Sequence, residues 1–133
     1  MIRYVTIAAL VVGLVACSGN SGYQPAEDAQ DAGRQFIRAS LDGNYEKAKF
    51  YLLKDDDNLT LLKKQQSNYQ KMSSEDKRSF GDASILPLEI QPLNDSVTNY
   101  KYNNSFHPKD TTTIRIVRIN NEWLVDLKSV IKM

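Results

Sequence analysis

The spacing of apolar residues changes period once along this chain, near Gly81, and that single change confines it to a narrow set of folds. Between Ala26 and Gly81 apolar residues recur three and four apart, as on one face of a helix. After it they alternate, as on one face of a strand. Helices first and strands afterwards is the order of an α+β domain, in which helices cover one face of an antiparallel sheet.

Between Ala26 and Leu41 the residues Ala29, Ala32, Gly33, Phe36, Ile37, Ser40 and Leu41 fall on one helical face, with Arg34, Gln35 and Arg38 on the other. Gly43 is placed to close this helix and Asn44 to cap a second, which carries Tyr45, Ala48, Leu52 and Leu53. The short link Asp42-Gly43-Asn44 implies a helical hairpin. Asp55-Asp56-Asp57 concentrates negative charge and reads either as a cation site or as a solvated turn. Calcium loops alternate their ligands around a Gly and end on a distal Glu. None of that follows here, so Asp56 or Asp57 is taken as the cap of a third helix, from about Asn58 to Met72. Ser73 opens a short further helical turn ending near Phe80-Gly81.

The alternating half begins with Ile85, Leu86, Leu88 and Ile90, interrupted by Pro87 and followed by Pro92. Proline removes a ladder donor, so this strand reads as an edge, or as bulged at Pro87. A second strand runs from Val97 to Phe106, with His107-Pro108-Lys109-Asp110 as the turn after it. A third covers Thr111 to Ile119, and Asn120-Asn121-Glu122 turns into a fourth. There Trp123, Val125 and Leu127 face the core and Asp126 faces out. The expectation is an antiparallel meander of about four strands, curved beneath the N-terminal helices.

Ahead of this domain, Arg3 precedes an almost wholly apolar run that ends at Ala16. The run is too short to span a hydrocarbon core of ~30 Å, which needs about 20 residues of helix, and has the length of a secretory signal core. Leu14-Val15-Ala16-Cys17 resembles the lipobox of bacterial lipoproteins. The resemblance implies that Leu14, Val15 and Ala16 are the recognition residues and that residues 1–16 are cleaved as a signal peptide. It implies that Cys17 carries a covalent diacylglycerol and an N-acyl chain, its only expected prosthetic groups. The lipid bilayer of the cell envelope is then the first partner. Cys17 is the only cysteine, so no intramolecular disulfide is possible, and an exported lone thiol would be a liability that a thioether is not. Asp after the cysteine would resemble an inner-membrane retention signal. Ser18 stands there instead, so the expected location is the outer membrane, facing the periplasm. Residues 17–25 read as the lipidated cysteine and a flexible tether, and 26–133 as one domain.

Cleavage removes Arg3 and no acidic residue, which brings 17 basic residues level with 16 acidic ones. A neutral domain does not suit nucleic acid, whose affinity comes from clustered Lys and Arg. There is no His pair or second Cys for a structural metal site, and no Gly-x-Ser-x-Gly elbow. His107 is the lone histidine, in an expected turn at the rim, and a general base needs a partner and reach. No catalytic residue is assigned. Seven tyrosines offer apolar bodies with polar tips. Tyr100 and Tyr102 share one strand face and are the candidates for ligand or partner contact; the alternative is ordinary packing.

Two stretches carry a further resemblance. One is Phe36…Leu41-Asp42-Gly43-Asn44-Tyr45-Glu46-Lys47-Ala48; the other is the hairpin from Ile114 through Asn120-Asn121-Glu122-Trp123 to Asp126. Together, over residues 26–128, they resemble small bacterial lipoprotein domains of unknown function in the nuclear transport factor 2-like, or cystatin-like, superfamily. That resemblance implies a roll of helices on a curved sheet. The superfamily holds isomerases, dehydratases and cyclases beside many non-catalytic members, so fold decides little. The expectation is a non-enzymatic binding or accessory domain, for an envelope protein or a small apolar ligand. The alternative is an isomerase- or cyclase-like enzyme acting on a small apolar substrate.

Overall fold

The computed structural model describes residues 22–132, with side chains through Ser129. Asp28 opens α1 (Ala29–Leu41): its carboxylate accepts the Asp31 N–H at 2.7 Å, satisfying a donor that every helix start leaves over. The helix ends in a Schellman turn. The Asn44 N–H donates to the Ala39 carbonyl at 2.8 Å and the Gly43 N–H to that of Ser40 at 3.2 Å, with Gly43 at φ +72°. Asn44 then caps α2 (Tyr45–Phe50), accepting the Lys47 N–H at 3.1 Å.

α2 is shorter than its apolar spacing predicts. Leu52 and Leu53 leave it and lie along a sheet edge, Leu52 bridged in parallel to Val125. The Leu53 N–H donates to the Val125 carbonyl at 2.9 Å, and the Val125 N–H to the Tyr51 carbonyl at 2.8 Å. Continuing the helix would have left those edge groups of Val125 unpaired. α3 (Asp56–Gln70) is capped by Asp55, and not by the expected Asp56 or Asp57, accepting the Asn58 N–H at 2.8 Å. Asp56 and Asp57 stand exposed in the first turn, where the helix dipole favours negative charge. α4 (Ser74–Asp82) opens on Ser73. Its C-terminal carbonyls are gathered by Arg38, which helical spacing had placed on the solvent side. The half-buried guanidinium donates to the carbonyls of Phe80, Gly81 and Ala83 at 3.3, 2.9 and 2.6 Å, and to the Asp42 carboxylate at 2.9 Å.

The sheet is the expected meander: β1 (Ile85–Asn94), β2 (Val97–Asn104), β3 (His107–Ile119) and β4 (Glu122–Lys132), neighbours in that order and antiparallel throughout. The last hairpin turns through Asn120 and Asn121 at φ 51° and 63°, the positive pair of a type I′ turn. The middle turn lies earlier than Pro108 suggests. The Asn104 side chain accepts the N–H groups of Phe106 and His107, each at 3.0 Å, and its local bond reverses the chain. His107-Pro108-Lys109-Asp110 therefore opens β3 and is not a turn. Pro108 falls where the β2–β3 register slips, between the pairs Tyr102↔Thr112 and Asn104↔His107, so its missing N–H breaks no ladder bond. β1 is an edge, as its prolines imply, and slips register between Pro87 and Glu89 and between Pro92 and Asn94.

α1 lies across the inner face of the sheet, burying Phe36 and Ile37 against Tyr100, Ile114, Ile116, Val125 and Leu127. The approach is closest at Gly33, where a Cβ would stand 2.9 Å from Ile116 Cδ1 and 3.2 Å from the Tyr100 ring. Asn58, fully buried, joins α3 to β4. Its Oδ1 accepts the Leu127 N–H at 2.8 Å and its Nδ2 donates to Asp126 Oδ1 at 3.2 Å. The β3–β4 register slips beside it, between Thr113 and Arg115. The side-chain amide thus takes a backbone donor at the point where the ladder is irregular. Asp126 is half buried and paired in register with Arg115, away from the core residues Val125 and Leu127.

Candidate functional site

Two register slips fall at the same end of the sheet, one in the β2–β3 pairing and one in β3–β4. Extra residues on one strand of a pair bend it and raise the local twist. Between that end and the helices lies a cavity of about 700 Å³, within the range of small-molecule sites, roughly 300–1,000 Å³. Its floor is apolar: Phe36, Ile37 and Leu41 from α1, Ile114 and Leu127 from the sheet. Its exposed rim is polar, with Asn68, His107 and Asp110.

The two tyrosines singled out from the sequence sit side by side, ring centroids 5.8 Å apart, yet line different spaces. Tyr102 lines the large cavity. Burial pushes its hydroxyl up to about 12, with a Thr112 hydrogen bond acting against that rise. Tyr100 is wholly buried over Gly33 and borders a separate cavity of about 460 Å³ beside Arg34 and Arg38. Its hydroxyl has no hydrogen-bond partner among the described residues. Tyr45 joins Tyr102 at the large cavity. Its hydroxyl donates to the Gln65 carbonyl at 3.4 Å, its ring meets Tyr69 edge-on at 5.8 Å, and burial followed by Tyr69 pushes its pKa up to about 12. Both phenols are neutral donors at ordinary pH and cannot serve as bases there.

His107 is at the rim, as its sequence position implied, with its ring against Phe106 at 4.3 Å and Phe80 at 6.3 Å. The sequence reading missed Asp110, which lines the same cavity and is the only carboxylate among the lining residues; no Lys or Arg is among them. Pro108 drew attention to a turn and away from Asp110, which lies two residues further on. Among the described residues no cluster of three His, Cys, Asp or Glu is placed to hold a metal ion, and no helix is long and apolar enough to cross a membrane. Cys17 and its recognition residues Leu14, Val15 and Ala16 lie outside the described residues.

No protein-family model matches the chain, and no curated protein does. Among solved structures it is similar to a nuclear transport factor 2-like protein of unknown function from Shewanella oneidensis MR-1. The two share 12% identity over 71% of this chain and 88% of that one, with a TM-score of 0.51. At that identity the likeness is one of fold, and it shows that this chain has the α+β architecture of a nuclear transport factor 2-like domain: helices first, then a curved four-stranded antiparallel sheet.

Proposed function

We propose that this chain is a lipoprotein of the bacterial cell envelope, anchored through acyl chains on Cys17, whose domain binds a small, uncharged, largely apolar ligand without transforming it. The apolar run ending in Leu14-Val15-Ala16-Cys17 supports the anchor. Ser18 supports the outer membrane, facing the periplasm. The observation that carries the binding role is the cavity of about 700 Å³, apolar at its floor and polar at its rim. With Asp110 its one carboxylate and no Lys or Arg among its lining residues, the site offers an anionic ligand no permanent counter-charge. The neutral phenol of Tyr102 can donate a hydrogen bond to a carbonyl or hydroxyl on an otherwise apolar body, whereas that of Tyr45 already donates to the Gln65 carbonyl.

One observation favours the enzymatic reading: His107, Asp110 and Tyr102 line the same cavity, so an imidazole, a carboxylate and a neutral phenol face one space. An isomerase- or cyclase-like reaction draws its acid and base from such groups.

Fluorescence titration with N-phenyl-1-naphthylamine, a neutral apolar probe, tests the binding role. Saturable binding is expected, weakened by about tenfold or more in Ser40→Trp, which fills the cavity from α1. Absence of saturation, or a Ser40→Trp variant that binds as well as the parent, would sink the assignment.

A further inference from the structure

We infer that the face built by Tyr23, Lys47, Lys49 and Phe50 lies against an anionic bilayer surface when the chain is anchored; the inference rests on the lipid anchor at Cys17 proposed above. The residues that follow the anchor are bound to the domain sooner than a free tether would be. The buried Tyr51 hydroxyl donates to the Gln24 carbonyl at 2.7 Å. The Tyr23 ring packs 5.7 Å from that of Phe50, and the Lys47 ammonium stands 6.0 Å from it. Tyr23 and Gln24 are therefore held on α2 by independent contacts.

Six peptide steps separate Cys17 from Tyr23. At no more than ~3.6 Å a step, they span at most about 22 Å whatever their conformation. A domain of about 100 residues has a radius of gyration near ~13 Å, and so is wider than that reach. The lipid can therefore lie near the α2 side of the molecule and not beneath the opposite side. The chemistry of that side fits the surface it would meet. From Tyr45 to Lys54 the chain carries Lys47, Lys49 and Lys54 against Glu46, with Asp31 of α1 acting on Tyr51 and Glu122 of β4 on Lys54. Lys49 is exposed; Lys54 is turned onto the carbonyls of Phe50 and Leu52 at 3.2 and 3.1 Å. Aromatic rings beside amines suit the headgroup layer, where basic residues are drawn to anionic lipid.

The test uses the full chain, processed in a bacterial host and reconstituted in vesicles of phosphatidylethanolamine and phosphatidylglycerol. A benzophenone amino acid replaces Lys49 in one variant and Lys109, on the exposed rim of β3, in another. Intact mass first establishes the diacylglyceryl adduct on Cys17, and ultraviolet light then couples the benzophenone to whatever it touches. A lipid adduct from position 49 and little or none from position 109 is the expected result. With the adduct on Cys17 present, equal coupling from both positions, or none from 49, overturns the facing surface and leaves the anchor standing. A Cys17 without the adduct overturns both.

Discussion

At the scale of single residues, Asn58 carries the most structural consequence. It is fully buried, and its amide serves the Leu127 N–H and the Asp126 carboxylate together. Asn58→Ala would leave that backbone donor without its partner, at a cost of about 1–3 kcal/mol. Urea denaturation should show a loss of about 2 kcal/mol, with the far-UV spectrum of the folded state unchanged. Nothing near Asn58 in sequence announces this role, because its partners lie 68 and 69 residues away. Arg38 is the same case: its carbonyl partners lie 42 to 45 residues on. Asn44 and Ser73, by contrast, were legible as caps because a cap bonds three residues ahead of itself. Tyr102 was found because alternation in a strand is local. Asp110 was missed because Pro108 beside it suggested a turn.

At the scale of elements, the link between α1 and α2 is the strictest. Gly43 sits at φ +72°, and a Cβ there would stand 2.4 Å from the Tyr69 ring, a wall of the large cavity. The left-handed conformation alone costs an L-residue about 1–2 kcal/mol, and the collision adds to it. Gly43→Ala is expected to lower stability by about 2–3 kcal/mol, and by only ~1 kcal/mol in a Tyr69→Ala background. A double-mutant cycle measured by chemical denaturation checks the difference. The helices and strands themselves were legible, since each is written in a period of its own. Two element ends were not. Leu52 and Leu53 fit a helical stripe, but the open edge of β4 offers their backbone a better partner at Val125. Pro108 drew the expected turn three residues late because the real turn is closed by a side chain, that of Asn104.

At the scale of the whole molecule, the order of helices and strands was readable from the change of period, whereas the cavity was not. It depends on register slips that appear only when strands pair. Two phenols facing it tie global stability to alkaline pH. Burial disfavours the ionised forms of Tyr45 and Tyr102, so their folded pKa values lie above the unfolded one. Their contribution is present in full below the ordinary value of 10.0 and is lost as pH rises from there toward about 12. Denaturation curves across that interval should show stability falling with pH, with a shallower fall in Tyr102→Phe. Finally, the way α1 packs has a consequence for how the chain comes into being. Phe36 and Ile37 share their core with Ile114, Ile116, Val125 and Leu127, on strands that come much later in the sequence. A chain emerging from the ribosome presents its first helix before that core exists. Until the last hairpin is made, the apolar stripe of α1 is open to a holdase.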